Sequence, residues 1–498
     1  MNAKRGLDAV RRFFRHRQHP IKLLDYSSRN LWLLLIPLSK RLIAMQFHFQ
    51  EWLRTSWLDI LTITVIFAVA ILRWLFVSFD IEPDGISAKT GLFGMIRTKV
   101  YFTQFTTVSF CQSWYNRPFG ANKIYIETNA KSVGRQDIKL VLSQRNSDAL
   151  YSFVSSLSKE KPRISYSPKK THLFIFSLLF SSALTGMLLY GTFMYEVSKI
   201  VGIEGERAVF ERVNGEVTKI DSRFLRLTET IPQVILALAA LVIGGWFVSF
   251  LATLARHWSF TVGRSDRQFF IKSGVLIKRR HIISRDKINY YDLTQTLLMK
   301  LFHICSVTLD CAGYGQSRRE ISALIPITTY DQMNASLKLL VPELPRPKPE
   351  IDTVGANGVR RFVTMPAMLC ALPPLAIKLL DSYFPNHNPD LNALIAIVTV
   401  PLIWLVIVKT AAAFNTSVGF DDTGAVLNYC KGYQFHKVFL PKKNISMIRI
   451  IRNPFQLTNN TCTLVVCTVG LKRKSHVIRF VRYDLVKEMC TREGYSLF

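Results

Sequence analysis

Residues 288–310, INYYDLTQTLLMKLFHICSVTLD, decide the fold because the same pattern occurs three times in the chain. Windows beginning at Phe105, Ile288 and Ile445 align without gaps, at offsets of 183 and 157 residues. The third copy is the most divergent and lacks the Gln-Ser/Thr pair of the first two. Self-similarity at long spacing is typical of chains built from repeated structural units, so the sequence predicts three related domains.

Each copy reads as several short strands followed by one helix. Val307 and Leu309 stand two residues apart in β-branched company, and apolar pairs occupy the same positions in the other copies. This alternation predicts a strand with one buried face. Helical patterns follow Asn146 and Thr329, both good N-caps, and begin near Tyr483 in the third copy. Each unit is therefore expected to be a small open β-barrel closed by a C-terminal helix.

Apolar stretches before each unit predict a membrane protein. The chain has 498 residues, 49% of them hydrophobic, and a mean hydropathy of +0.19. A membrane-crossing helix needs about 20 mostly apolar residues. The stretches that qualify or nearly qualify are Trp57–Phe79, Leu173–Tyr195, Ile231–Leu254, Phe362–Leu380 and Leu391–Phe414, with Leu31–Phe47 as a sixth that is either a span or a re-entrant segment.

Charge gives the orientation. The 64 Lys and Arg residues outnumber the 34 Asp and Glu residues, for a net charge of +30. The basic N-terminal tail and the three long segments belong inside, whereas 196–230 carries seven acids and six bases and belongs outside. Six spans in three pairs satisfy this pattern. Seven of the eight cysteines fall in inside segments and one in a span, as expected for reduced thiols.

The predicted fold is an α+β membrane protein with six transmembrane helices in three pairs, each pair followed by a cytosolic domain. The predicted segments are a basic N-terminal tail at 1–30, the first pair at 31–79, the first domain at 80–160, the second pair at 171–254 with the extracellular loop 196–230, the second domain at 255–342, the third pair at 362–414 and the third domain at 415–498.

Clustered cations are the candidate binding residues, because ammonium and guanidinium groups complement phosphate and carboxylate oxygens. Most lie in the predicted first hairpin of each unit, and the others in the loop before the closing helix. They are Arg97, Lys99, Lys272, Lys278, Arg279, Arg280, Lys437, Arg318, Arg319, Lys472, Arg473 and Lys474. The alternative interpretation is that they are positive-inside topology signals and solvated loop charges.

The sequence resembles the membrane-flanked bacterial pleckstrin-homology (PH) proteins of the YdbS/YdbT type. The resemblance rests on the ordered set of His19-Pro20, Trp32–Pro37, Arg73-Trp74, Gly274–Arg280 and Gln295–Phe302. It matches the three-copy, YdbT-like arrangement. It implies a PH fold, a place in the bacterial plasma membrane, no enzymatic activity, and a smaller one-domain membrane protein of the same family as partner.

No catalytic motif, metal-ligand spacing or cofactor-binding pattern occurs, so we expect no enzyme, metal or cofactor. Nucleic acid is not expected as a partner. The predicted function is a non-catalytic membrane scaffold, homo- or hetero-oligomeric, whose PH-like domains bind partner proteins and anionic inner-leaflet lipids. The predicted cellular context is envelope stress or protection from antimicrobial peptides. The alternatives are a membrane transporter or exporter component and a lipid head-group binding module.

Overall fold

The computed structural model contains three units of one plan. It describes residues 18–27, 38, 48–82, 84–91, 94–128, 137–157, 163–180, 233–314, 322–344, 351–352, 355–384, 389–469, 474–492 and 494. Each unit has two three-stranded antiparallel sheets and a closing helix, as the repeat predicts.

The strands follow one another in the same order in each unit. They are β1 (Ser78–Ile81), β2 (Gly85–Thr90), β3 (Ile96–Tyr101), β4 (Phe105–Ser113), β5 (Ala121–Thr128) and β6 (Ile138–Ser143) in unit 1; β8 (Thr261–Arg264), β9 (Gln268–Ser273), β10 (Ile277–Ser284), β11 (Tyr290–Thr296), β12 (Ile304–Asp310) and β13 (Ala323–Thr329) in unit 2; and β15 (Ser417–Asp421), β16 (Gly424–Lys431), β17 (Gln434–Pro441), β18 (Ile445–Ile451), β19 (Thr461–Thr468) and β20 (Lys474–Arg482) in unit 3. Strands β7 (Ile164–Tyr166) and β14 (Ile351–Asp352) extend units 2 and 3.

Helices close the units and connect them. They are α1 (Phe49–Thr55), α2 (Trp57–Phe76), α3 (Gln144–Ser156), α4 (Lys170–Phe180), α5 (Gln233–His257), α6 (Leu297–Leu301), α7 (Tyr330–Leu340), α8 (Gly355–Tyr383), α9 (Pro389–Phe414), α10 (Pro454–Leu457) and α11 (Tyr483–Arg492). The closing helices are α3, α7 and α11. Thr329 is an N-cap as predicted, but the cap of α3 is Ser143, whose hydroxyl accepts a hydrogen bond from the amide of Asn146.

The units are not the self-contained barrels that the sequence predicts, because two sheets run continuously from one unit into the next. Strand β4 of unit 1 pairs with β10 of unit 2, and β11 of unit 2 pairs with β17 of unit 3. Two seven-stranded sheets result, in the orders β6-β5-β4-β10-β9-β8-β7 and β13-β12-β11-β17-β16-β15-β14. Each junction joins the fourth strand of one unit to the third strand of the following unit.

The hydrophobic cores exchange side chains across these junctions. Phe270 and Ile282 of unit 2 lie in the core of unit 1, together with Val108 and Phe110. In the same way, the core of unit 2 includes Val426 and Phe439 of unit 3, and Tyr290 of unit 2 lies in the core of unit 3. Neighbouring units therefore depend on each other for apolar burial.

Polar contacts reinforce the first junction. Ser109 and His281 are buried and hydrogen-bonded, with 2.7 Å between the hydroxyl oxygen and Nδ1. Burial, together with the nearby Arg279 guanidinium, lowers the pKa of His281 to about 3. The ring is therefore neutral at physiological pH, and it stabilises the junction without adding a charge to it.

Two of the described helices are long and apolar enough to cross a membrane, Trp57–Phe76 and Val359–Tyr383, where six were predicted. In α5 and α9, the apolar parts found by the same criteria are shorter, namely Leu241–His257 and Val398–Phe414. The predicted span 57–79 is too long, because β1 already begins at Ser78. Residues 31–47, apart from Leu38, and 181–230 lie outside the described residues, and with them the sixth stretch, most of Leu173–Tyr195 and the predicted extracellular loop.

Part of the predicted N-terminal tail packs against unit 1. Val141 of β6 exchanges hydrogen bonds with Gln18 and His19, and Lys123 forms a 2.6 Å ion pair with Asp25. Burial is the main reason that the pKa of Lys22 falls to about 7. Residues 18–27 therefore cover the outer edge of the first seven-stranded sheet, which limits strand addition there.

Candidate membrane-facing site at the hairpin tips

The turn between the second and third strands of each unit is here called the hairpin tip. Its described residues are 91, 94 and 95 in unit 1, 274–276 in unit 2 and 432–433 in unit 3. In unit 2 this tip contacts the C-terminal end of α5. The amide of Gly274 donates to the Trp258 carbonyl at 2.8 Å, and the amide of Val275 donates to the Ala255 carbonyl at 3.0 Å. Gly274 has a φ of +91°, and a Cβ there would lie 2.2 Å from the Ile277 carbonyl oxygen, so glycine is required.

The other two tips also lie against the apolar helix that precedes their unit. In unit 1, a Cβ added to Gly94 would lie 2.9 Å from the carbonyl oxygen of Phe76, the last residue of α2. In unit 3, the hydroxyl of Tyr433 donates to the Pro401 carbonyl of α9 at 3.2 Å. The tips of units 1 and 2 thus lie at the C-terminal ends of their helices, whereas the tip of unit 3 lies beside the middle of α9. If α2 and α5 cross a bilayer, the tips of units 1 and 2 lie at its surface.

Apolar side chains are exposed at these tips. Met95 is 79% exposed and Leu276 is 56% exposed. The loop after the fourth strand adds Trp114 and Phe119 in unit 1, and the Arg117 guanidinium of that loop donates to the carbonyls of the unit 2 tip. Exposed aromatic and aliphatic residues beside cations are typical of surfaces that enter the lipid interface.

Two of the predicted basic residues are exposed beside the unit 2 tip, namely Lys272 and Lys278. Arg280 instead bridges units, because its guanidinium binds Asp148 of α3 at 2.6 Å and stacks on the ring of Tyr151. Arg279 is half-buried beside His281. The cationic cluster of unit 2 is therefore divided between an exposed pair and a structural pair.

The remaining predicted cations are dispersed. Lys99 is held by Glu82 at 2.6 Å and Asp84 at 3.1 Å, and Arg97 is exposed on β3. Lys437 lines a cavity at the second junction. Lys474 begins β20, whereas Arg318, Arg319, Lys472 and Arg473 lie outside the described residues.

That cavity is a second candidate site, with a volume of about 390 Å³ between units 2 and 3. Its polar lining includes Gln295, Lys300, His303, Asn415, His436 and Lys437. The Lys300 ammonium donates to Asn415, the residue after α9, and lies 4.3 Å from the centre of the Phe435 ring. The cavity is therefore beside the end of an apolar helix.

The electrostatics of the cavity favour an anionic ligand. Burial lowers the pKa of both Lys300 and Lys437, and no carboxylate in the described part of the chain forms an ion pair with either. The nearby Asp292 carboxylate pairs with His436 at 2.8 Å. A phosphate in the cavity would be an anionic partner for both ammonium groups and would favour their charged forms.

Nothing in the described residues suggests catalysis. No group of three or more His, Cys, Asp or Glu side chains there is arranged to hold a metal ion. Burial raises the pKa of the Cys305 and Cys311 thiols to about 12, so neither is a reactive thiolate at neutral pH.

Six antiparallel strands in two groups of three, closed by a C-terminal helix and present three times, define a PH-like fold. The sequence model of the bacterial PH domain family matches residues 34–157 and 222–339. The chain is thus similar to bacterial PH domain proteins in two repeated regions, and the matched residues lie in units 1 and 2 and the segments before them. No curated protein and no solved structure matches the chain.

Sequence reasoning did not identify the carboxylates that pair with Arg280 and His436 across the junctions. Asp148 stands 132 residues from Arg280, and Asp292 stands 144 residues from His436. Neither pair has a local signature. The apolar surface did have one, because Val275-Leu276 at the unit 2 tip and Trp114-Tyr115 in the loop after β4 are apolar pairs in turn segments.

Proposed function

We propose that the protein is a non-catalytic membrane scaffold that holds three joined PH-like units on the inner leaflet and presents them to partner proteins. The contact of each hairpin tip with an apolar helix, at the C-terminal end of that helix in units 1 and 2, supports this proposal. Six membrane spans, with all three units in the cytosol, agree with the charge distribution. We further propose envelope stress or protection from antimicrobial peptides as its cellular context.

The exposed cations at the unit 2 tip are expected to contact anionic lipid. Each cation near an anionic leaflet contributes about 1 kcal/mol. Full-length protein should therefore have a higher unfolding temperature in nanodiscs of phosphatidylglycerol than in nanodiscs of phosphatidylcholine. Changing Lys272 and Lys278 together to Gln should reduce the difference in unfolding free energy between the two lipids by about 2 kcal/mol. In the unchanged protein, 0.5 M salt should also reduce the difference in unfolding temperature.

Lys338→Gln is the matched control, because this exposed lysine lies on α7, which contacts β12, β13 and β7. It should leave the difference between the two lipids unchanged. Arg280 is left in place because its loss would break the contact with Asp148. Equal stability of the unchanged protein in both lipids would contradict a membrane-contacting role for the tips.

The cavity supports a second candidate function, specific binding of an anionic lipid head group. Two half-buried ammonium groups in one cavity, with that of Lys300 beside the end of α9, are the observation that favours it. A hydrogen bond to a charged group contributes about 1.5–3 kcal/mol. Lys300→Gln and Lys437→Gln should therefore each weaken phosphatidylglycerol binding about tenfold or more, measured by native mass spectrometry of the full chain.

Lys443→Gln serves as the control for the cavity, since Lys443 is exposed in the turn between β17 and β18. It should bind phosphatidylglycerol like the unchanged chain. If Lys300→Gln and Lys437→Gln behave like this control, the cavity does not hold a head group.

A further inference from the structure

Among the described strands, β18 is the one fourth strand of the three units that has no neighbouring unit along its outer edge. Its counterparts β4 and β11 pair with β10 and β17. Strand β18 pairs with β19 on one side, and no strand of the described residues pairs with its other side. Its sequence, ISMIRII, is apolar, yet every residue of it is half-buried or exposed. Long apolar edges of this kind are templates for strand addition.

The two internal junctions have the same register, and this defines what β18 would accept. At the first junction Ile282 stands opposite Val108, and at the second Phe439 stands opposite Tyr291. Val108, Tyr291 and Ile448 are equivalent residues, because each stands opposite the equivalent residue of the next strand, namely Ile126, Leu309 and Val466. An incoming strand would therefore place an apolar residue opposite Ile448.

The equivalent residues differ in burial, as expected if β18 lacks the neighbouring strand that β4 and β11 have. Val108 is 1% exposed and Tyr291 is 7% exposed, whereas Ile448 is only partly buried. The loop after the fourth strand, which in unit 1 reaches the next unit through Arg117, carries in unit 3 the exposed Phe455 and Leu457. Unit 3 thus presents an apolar acceptor surface with no downstream unit in this part of the chain.

The incoming strand must belong to a hairpin with an apolar cross-strand pair on its outer face. In unit 2 this pair is Phe270 opposite Ile282, and in unit 3 it is Val426 opposite Phe439. In unit 1 the same positions hold Ser87 opposite Lys99, and the Lys99 ammonium is bound by Glu82 and Asp84. A second copy of this chain would therefore bring a lysine against Ile448, so its unit 1 does not fit the acceptor edge.

We propose that β18 is a docking edge for a PH-like unit of a different polypeptide, whose third strand adds to the sheet in the register of the internal junctions and inserts an apolar side chain beside Ile448. This proposal deepens the scaffold function and rests on it, because it states which class of partner the scaffold holds. The partner is a PH-like unit with an apolar pair in place of Ser87 and Lys99.

Two synthetic hairpin peptides of equal length test the proposal against full-length protein in detergent. Peptide 268–284 carries Phe270 and Ile282, and peptide 85–101 carries Ser87 and Lys99. By fluorescence anisotropy of the labelled peptides, peptide 268–284 should bind with a dissociation constant on the order of 10–100 µM, since an isolated hairpin must order on binding. Peptide 85–101 should bind at least tenfold more weakly, and Ser87→Phe with Lys99→Ile in that peptide should restore binding.

Variants of the full chain locate the binding at β18. Ile448→Lys should abolish binding of peptide 268–284, and Arg449→Gln, at the adjacent exposed position, should leave it unchanged. Equal binding of both hairpins would overturn the proposal, and this comparison needs no variant of the chain. Self-association in sedimentation that Ile448→Lys abolishes would also overturn it, by making a second copy the occupant. Neither result would alter the lipid dependence expected of the hairpin tips.

Discussion

Replacing Ile282 with alanine is expected to loosen unit 1, although the residue belongs to unit 2. Its side chain is 3% exposed and lies in the core of unit 1. Truncating a buried isoleucine costs about 2–5 kcal/mol. Hydrogen exchange of the full chain should therefore show amide protection in β4 and β5 falling about thirtyfold or more, since about 2 kcal/mol corresponds to that factor.

The adjacent residue provides the control. Ile283 is fully buried, but its side chain lies in the core of unit 2. Ile283→Ala should reduce protection in β11 and β12 while leaving β4 and β5 close to the unchanged protein. If both substitutions loosen the same strands, the assignment of the two side chains to different cores is wrong.

The order of strands and helices within a unit was predictable because it depends on local periodicity. The alternation at Val307 and Leu309 identified β12, and the helical pattern after Thr329 identified α7. Both signals lie within a few residues of each other along the chain. The same reasoning located the three closing helices, which pack on their own sheets.

The joining of the sheets was not predicted, although the sequence contains a signal for it. Third strands at a junction are apolar on both faces, as in Ile282-Ile283 of β10 and Val438-Phe439-Leu440 of β17. The corresponding part of β3 alternates, with Lys99 beside Val100. A continuous apolar run indicates a strand buried on both faces, and that is how β10 and β17 are placed.

The candidate site was only partly predictable, because its electrostatics depend on residues far apart in sequence. The exposed cations Lys272 and Lys278 could be predicted as site residues because basic residues cluster there in the sequence. Arg280 has the same sequence signature, yet its position on β10 directs it to Asp148 of another unit. Lys300 was not predicted as a site residue, since only the second junction brings it to the cavity that Lys437 lines.

A fragment comprising residues 258–344 is expected not to fold as a monomer, even though it contains strands β8 to β13 and the closing helix α7 of unit 2. In the full chain, Phe270 and Ile282 are buried in unit 1 and Tyr290 is buried in unit 3. Burial of each such side chain contributes about 2 kcal/mol, and exposing all three removes much of the 5–15 kcal/mol that stabilises a typical domain. The fragment also exposes the edges of β10 and β11, which are paired in the full chain. Size-exclusion chromatography should therefore show aggregates or oligomers.

Unit 1 suggests the variant that separates this explanation from an intrinsically unstable fold. Its exposed third strand carries Lys99, and the cross-strand partner is Ser87. Introducing Phe270→Ser and Ile282→Lys into the fragment gives its outer face the same polar pair, so the fraction eluting as monomer should rise severalfold. A folded, monomeric fragment without these changes would mean that the shared cores contribute little. The single repeated domain would then fold on its own. The strand pairing between units instead indicates that the three units fold together.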